Sequence, residues 1–365
     1  MSETLSLVLE SIRTLDDMVL AFQSEDKCSQ LVESMVWPKG RICPACGYKH
    51  SISLADQDSG RGRLRPGLYQ CSNSHCRFQF TVTTRTPLHA TKLPLQIWLK
   101  AMWLILQSDK GLSSVRLAEA LGVSQPTAWR MGHAIRLLTA QEHLLDGTVE
   151  TDHFYLGGNP PKKRNVPPPG RGRKGKKKTA KTPILSMVQR PQSTEVGSPA
   201  GHARASVVAD LSAVEASRVF GQELDLQANL MSDDWTAFAA LGHNFSDHQT
   251  VNHSKDEYVR GAVHINSSEG FSSRVRRTVS GVFHHISTAH ADLYMHEIGF
   301  RWSQRVVKGQ AVRQSRNGKK KLRTIWSRVP PALQIAKLLR NAVGRQMRRT
   351  QQGGISVRSE IAVFG

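Results

Sequence analysis

The sequence predicts a multidomain α/β protein, and three observations carry that reading. Four of its five cysteines fall in one stretch rich in Gly, Ser and Arg, residues 37–88. Residues 93–146 then place apolar side chains at helical spacing. Residues 147–300 alternate strand-like and helical runs, as a mixed sheet with flanking helices requires. At 365 residues the chain has room for two or three domains. The expected divisions are a helical segment at 1–36, a cysteine module at 37–90, a second helical region at 91–146, an α/β domain at 147–305 with a basic insert at 160–181, and a basic tail at 306–365.

Charge narrows the class. The net charge is +21, and the excess is clustered: residues 162–181 hold ten Lys/Arg and no acid, and residues 301–349 hold fifteen more, again without an acid. Clustered positive charge of this size implies a polyanionic partner, nucleic acid first. A membrane is the competitor, but the most apolar stretch, LPLQIWLKAMWLIL (93–106), is too short to span one and contains Gln96 and Lys100. The N-terminus MSETLSLVLESIRTLDD lacks the basic start and cleavage site of a secretory signal. An intracellular protein is therefore expected, with cysteines serving as metal ligands or buried thiols rather than disulfides.

The N-terminal segment has helical spacing at Leu5, Val8, Leu9 and Ile12, and again at Met18, Val19 and Phe22. Cys43-Pro-Ala-Cys46-Gly47 then has the form of a zinc knuckle, with Gly relieving the turn that aims backbone amides at sulfur. Cys71 and Cys76 follow after 24 intervening residues, and two local pairs suit a tetrahedral structural Zn²⁺ in a zinc ribbon. The second gap, Cys71-x4-Cys76, is wider than usual, so His75 stands as the alternative fourth ligand. Cys28, alone in a helical pattern, reads as a buried small hydrophobe. FQFTVTTRTPL (78–88) alternates like the ribbon's closing strands.

Residues 110–138, KGLSSVRLAEALGVSQPTAWRMGHAIRLL, have the organisation of a helix-turn-helix. Val115, Ala118 and Leu121 mark a first helix, Gly122 ends it, and Ser124 caps a second with Gln125 and Pro126 in its first turn. Ala128, Met131 and Ile135 are expected to pack inward, leaving Gln125, Thr127 and Arg130 as candidate DNA contacts. An ordinary helical hairpin shares this pattern.

The α/β region raises a question in VETDHFYLGG (149–158): an Asp in the middle of a strand. Asp is depleted in strands and costs free energy when buried unpaired. Asp152 is thus either an exposed edge residue or a metal ligand. Downstream run three strand-like segments, TPILSMVQR (182–190), RASVVADLS (204–212) and QANLMSD (227–233), the last ending in Asp233. HINSSEGFSSRVRRTV (264–279) then opens a helix bearing Glu269, with 35 residues between it and Asp233. This order suits an RNase H-like fold, in which the first and fourth strands bring their acids together and a later helix adds a third. Three such carboxylates hold two Mg²⁺ (or Mn²⁺) ions for in-line phosphodiester chemistry. Each acid has a plainer alternative: Asp233 or Asp234 as a helix cap, and Asn266-Ser-Ser-Glu269 as a capping box.

Several segments together carry a resemblance: VWPKGRICPACG (36–47), YQCSNSHCRFQFTVTTRTPLHATKLPLQIWLKA (69–101), SQPTAWRMGHAIR (124–136), VETDHFYLGG (149–158), LMSDDW (230–235), VNHS (251–254), HINSSEGFSSRVRR (264–277) and GVFHHISTAHADLYMHEIGFRWSQR (281–305). Over roughly residues 20–305 the chain resembles insertion-sequence transposases of the DDE superfamily, the ISXO-two-like group with an N-terminal zinc ribbon. The resemblance implies that Asp152, Asp233 and Glu269 are the catalytic, Mg²⁺-holding residues, with Asn266 as a weaker third candidate. It implies that Arg276, on the same helix face as Glu269, contacts DNA at the reacting strand. It implies cutting of transposon-end DNA, joining of the freed 3′-hydroxyl to target DNA, and a homo-oligomer on DNA. The group usually has Asp-Glu where this chain has Asp152-His153; alternation sends His153 to the other face of the strand. His248, His253, His284 and His285 are family-like positions read as structural or DNA-contacting. Within the basic insert, Arg173, Lys174, Lys176 and Lys177 are candidate phosphate contacts. Two other readings stand beside this one: a DNA-binding regulator with an inactive transposase-derived domain, and an RNase H-like nuclease that does not join strands.

Overall fold

The structure, a computed structural model, describes residues 3–54, 66–157, 181–314, 318, 320–340, 342–350 and 355–358. The chain divides into two compact units, Met1–Ala140 with Ser327–Gly365, and Gln141–Trp326.

The first unit begins with three short helices, α1 (Glu3–Ser11), α2 (Leu15–Ala21) and α3 (Glu25–Val36). Thr14 and Asp17 form a reciprocal capping box at the start of α2, and Ser24 caps α3. Strands β1 (Ser51–Ser53), β2 (Tyr69–Cys71) and β3 (Gln79–Phe80) make a small antiparallel sheet. Helix α4 (Leu95–Gln107) follows; Pro94 at its N-cap offers no side-chain acceptor, and the Glu25 carboxylate accepts the N–H groups of Leu95 at 2.7 Å and Gln96 at 3.0 Å instead. Helices α5 (Ser114–Leu121) and α6 (Gln125–Leu138) pack on each other and on α4. Ser113 and Ser124 cap them, and Gly122 ends α5 in the left-handed conformation, φ 65°, that glycine tolerates. Ala128, Met131 and Ile135 are buried as expected; Val115 is not, and Leu117 with Ala118 forms the inward face of α5.

The second unit is built on a five-stranded mixed sheet: β4 (Thr148–Leu156), β5 (Thr182–Gln189), β6 (Ala203–Val207), β7 (Asn229–Asp233) and β8 (Asp247–Val251), in the order β6-β5-β4-β7-β8. Pairing is antiparallel through β4-β5-β6 and parallel through β4-β7-β8. Helices α7 (Ala213–Glu223) and α8 (Thr236–Gly242) supply Phe220 and Phe238 to the core that Val149 and Leu230 face. Helices α9 (Asn266–Thr278) and α10 (Ala291–Ser303) supply Phe271 and Ile298 to a second core with Phe154 and Ile184. Gly299 lets α10 lie directly on β6, since a Cβ there would meet the Ala203 carbonyl oxygen at 2.5 Å. Strands β9 (Arg305–Gln314) and β10 (Lys320–Arg328) form a separate basic two-stranded ribbon.

The segment expected as a basic tail holds regular elements among its described residues. After that ribbon, α11 (Pro331–Arg340) buries Ala332, Ile335, Leu338 and Leu339 and packs on α3 and α4, and β11 (Gln346–Arg349) pairs with β12 (Ile355–Arg358). Lys and Arg set the composition of this segment, but a helical apolar period sits beneath them and determines the fold. No helix among the described residues is long and apolar enough to cross a membrane.

Candidate active site

The first and fourth strands of the second unit, β4 and β7, are parallel neighbours, and both acids predicted on them come together where these two strands part from each other. Their pairing runs only to Glu150↔Met231, so Asp152 and Asp233 lie just beyond it, both partly exposed. One oxygen from each lies within 4.8 Å of the other and of a His153 ring nitrogen. Burial raises the Asp152 pKa above its ordinary value of 3.8; the charges of Asp233 and Glu269 act in the same direction, against a hydrogen bond from the His153 N–H at 2.7 Å. A partly buried carboxylate held next to a second one is the environment that a hard divalent cation stabilises.

His153 corrects a sequence expectation. Its ring does point to the opposite face, against Trp235 at 4.7 Å and Phe238 at 6.2 Å. Yet Nδ1 lies 4.0 Å from Asp233 Oδ2, because the strands are already separating there. That Nδ1 is buried without a hydrogen-bond partner. The side chain that alternation places on the other face thus still reaches the candidate carboxylates.

Glu269 is exposed on the first turn of α9 and stands apart from the Asp152–His153–Asp233 group, though its charge reaches Asp152. It forms no capping box: the N-cap is Ile265, without a side-chain bond. The cap comes from Glu150, a residue sequence reading passed over. Its fully buried carboxylate accepts the N–H groups of Ser267 at 2.6 Å and Ser268 at 3.1 Å, and Arg190 Nε donates to it at 2.6 Å. Beside it, the Ser186 hydroxyl donates to the Asp152 carbonyl and meets the Ser268 hydroxyl at 2.9 Å. These contacts fasten α9 to the strand carrying Asp152.

The remaining acids and bases fall into place around this centre. Asp233 Oδ1 accepts the Trp235 N–H at 3.2 Å, a local turn contact, while α8 has no side-chain cap. The Arg276 guanidinium lies 4.9 Å from the Phe154 ring, over the strand that bears Asp152. Asn266 is exposed at the start of α9. His248 is structural: Nε2 bonds the Ser232 hydroxyl at 2.9 Å.

In the first unit the four cysteine sulfurs of Cys43, Cys46, Cys71 and Cys76 lie within 4.8 Å of one another. Cys43–Cys76 and Cys46–Cys71 are 3.9 and 3.6 Å apart. Tetrahedral zinc with bonds of about 2.3 Å sets its sulfurs about 3.8 Å apart, so the residues fit the ion. Without it, burial pushes the Cys43 thiol up to about 12. His75 is exposed and outside the group; the wide second knuckle closes through a turn at Asn73, whose side chain accepts the His75 N–H at 3.0 Å.

Of the candidate DNA contacts on α6, Arg130 and Gln125 are exposed, but Gln125 donates to the Ser114 hydroxyl at 2.8 Å and Thr127 bonds Ser124 at 2.8 Å. A cavity of about 350 Å³ separates Thr127 and Arg130 from Met347 and Arg348 of β11. Arg173, Lys174, Lys176 and Lys177 lie outside the described residues.

Comparison with known proteins agrees with this layout. Residues 144–303 match the family model described as the ISXO2-like transposase domain, and residues 23–79 match the transposase zinc-ribbon domain. An uncharacterized protein in transposable element ISH50 of the archaeon Halobacterium salinarum is 26% identical over 270 residues, 72% of this chain and 85% of that one. A zinc-ribbon module followed by an acid-bearing α/β domain defines a transposase-type protein. The chain thus carries a transposase zinc-ribbon domain followed by an ISXO2-like transposase domain.

Proposed function

We propose that this protein is a DNA transposase of RNase H-like catalytic fold that cuts transposon ends and joins the freed 3′-hydroxyl to target DNA. The observation that carries the reading is the convergence of Asp152 and Asp233 on adjacent parallel strands, with Glu269 on a helix tied to the same strand. Asp152, Asp233 and Glu269 would hold two divalent ions, with His153 Nδ1 in reach of the same site. Such ions, when bound, supply an activated water or 3′-hydroxyl and neutralise the charge that builds on the phosphorane-like transition state.

The protein's own groups do the rest. Glu150, Arg190 and Ser186 fix α9 so that Glu269 keeps its register over β4. Arg276, on the same helix, lies where it can neutralise the phosphate of the strand in the site. The α5–α6 pair acts as a helix-turn-helix that positions the element end, Arg130 being an exposed cation on α6. The basic insert with Arg173, Lys174, Lys176 and Lys177 adds sequence-independent affinity. No side-chain general base is required.

The test is a joining assay. Purified full-length protein is incubated with Mg²⁺ or Mn²⁺, a labelled duplex carrying the inverted repeat that flanks the gene, and a supercoiled plasmid. Labelled plasmid is the expected product; nicking without joining would reassign the chain to the nucleases.

A further inference from the structure

One cavity of the second unit has no part in the chemistry above. It measures about 240 Å³ and is lined by Val188 of β5, Asn266 and Ser267 at the start of α9, Trp302 at the end of α10, Arg305 of β9 and Trp326 of β10. It adjoins the turn that carries Glu269: a Cβ on Gly270 would lie 3.8 Å from the Trp302 ring. Its volume falls below the 300–1,000 Å³ or so of pockets for drug-sized ligands, and suits a single ring system.

The lining is unusual in its balance. Two indoles face one guanidinium, Arg305 lying 4.0 Å from the Trp302 ring centre and 5.5 Å from that of Trp326. Arg305 is held in place, Nε donating to the Trp302 carbonyl at 2.8 Å and its own carbonyl accepting the Ala200 N–H at 3.0 Å. Among the described residues it has no carboxylate partner, and burial followed by the nearby charge of Arg274 lowers its pKa to about 10. A desolvated cation is costly unless an anion or aromatic faces offset it. The site therefore combines stacking surfaces with a positive charge that no carboxylate neutralises, and with amide and hydroxyl groups at its rim. A base with its phosphate presents the complement of all three.

We infer that the Trp302–Arg305–Trp326 cavity takes one unstacked base of the DNA strand lying in the active site, with Arg305 on the adjoining phosphate. This rests on the transposase reading. The cavity holds a nucleotide next to the reacting bond out of the duplex, so that the strand is bent toward Glu269's helix. Extruding a base is least costly where it is already unpaired, and the stacked indole returns part of that cost.

The experiment measures binding by the zinc-loaded protein with Mg²⁺ and Mn²⁺ left out, where nothing is cut. Full-length protein is titrated with two element-end duplexes, one fully paired and one with a single mispair beside the nicking position. Wild type is expected to favour the mispaired end. Trp326→Ala, on the ribbon rather than in the core, should reduce that preference by roughly 5- to 150-fold, the range for losing one stacking aromatic, and Trp326→Phe should restore most of it. Trp302 also packs 5.5 Å from Phe271, so Trp302→Ala is interpreted only if its melt matches wild type. A Trp326→Ala protein that keeps the wild-type ratio overturns the inference, as does equal weakening of both duplexes. Cleavage by wild type in Mg²⁺ is scored separately: its absence counts against the transposase reading, whereas cleavage with an unchanged ratio counts against the cavity alone.

Discussion

The Glu150 carboxylate accepts the backbone N–H of Ser268 at 3.1 Å, joining the strand of Asp152 to the helix of Glu269. Strand and helix are 118 residues apart in sequence at this contact, and the negative charge sits where the helix dipole and its free N–H groups favour it. The candidate active site thus depends on an acid that lies outside its cluster of possible metal ligands.

Removing that acid should be severe. Glu150→Ala leaves Arg190 without its carboxylate and the start of α9 without its cap. Breaking one side of a buried pair costs about 3–5 kcal/mol. Chemical denaturation of the full chain should reveal a loss of that size; a loss under about 1 kcal/mol would mean that α9 is held by other contacts.

Asp152 should behave in the opposite way. Its pKa is raised, so the folded state keeps the proton more tightly than the unfolded chain, and stability without metal falls as pH rises through a window that begins near 3.8. Asp152→Asn removes that penalty. Thermal melts of the zinc-loaded protein at neutral pH, with Mg²⁺ and Mn²⁺ left out, should give an unchanged or higher Tm for the variant; a marked fall would identify a structural Asp instead.

Zinc should depend on Cys76 and not on its neighbour. His75→Ala should bind one equivalent of Zn²⁺ with the wild-type fold, while Cys76→Ser should lose metal and unfold the ribbon. Metal analysis with circular dichroism separates the two, and retained zinc in Cys76→Ser would contradict the four-sulfur site.

His153 should tune metal choice. Imidazole favours transition ions, and carboxylates favour Mg²⁺. In calorimetric titrations of the whole protein, His153→Gln should weaken Mn²⁺ by roughly tenfold or more and Mg²⁺ much less. Equal losses for both ions would restrict His153 to packing on Trp235.

DNA affinity should separate into two parts. Arg130→Ala should reduce discrimination between element-end and random DNA by about 1–3 kcal/mol. Neutralising residues 171–178 should weaken binding to both and flatten its salt dependence. A cluster variant with the wild-type salt slope would show that the insert does not touch DNA.

Much of this was legible in the sequence because the informative residues violate local preference. An Asp within a strand, paired cysteines and a Gly-Val-Ser turn each needed a reason, and each pointed to a place in the fold. What escaped was set by tertiary context. Strand β8, DHQTV, is polar because it lies at the sheet edge, and its His248 is recruited by Ser232. Glu150 resembled an ordinary surface acid because its partners, Arg190 and Ser267, are distant in sequence. His153 was misjudged because strict alternation assumes that neighbouring strands stay paired, and here β4 and β7 part just before it.

The most direct test of the central claim is strand cleavage by Asp152→Asn beside wild type, on duplexes bearing the flanking inverted repeat, in Mg²⁺. The substitution keeps the shape of the side chain and removes its charge. The expected result is wild-type cutting at the repeat boundary, abolished by chelator, with the variant at least about 100-fold slower while binding the same duplex equally well. Undiminished cleavage by Asp152→Asn would contradict the assignment of the active site to Asp152, Asp233 and Glu269.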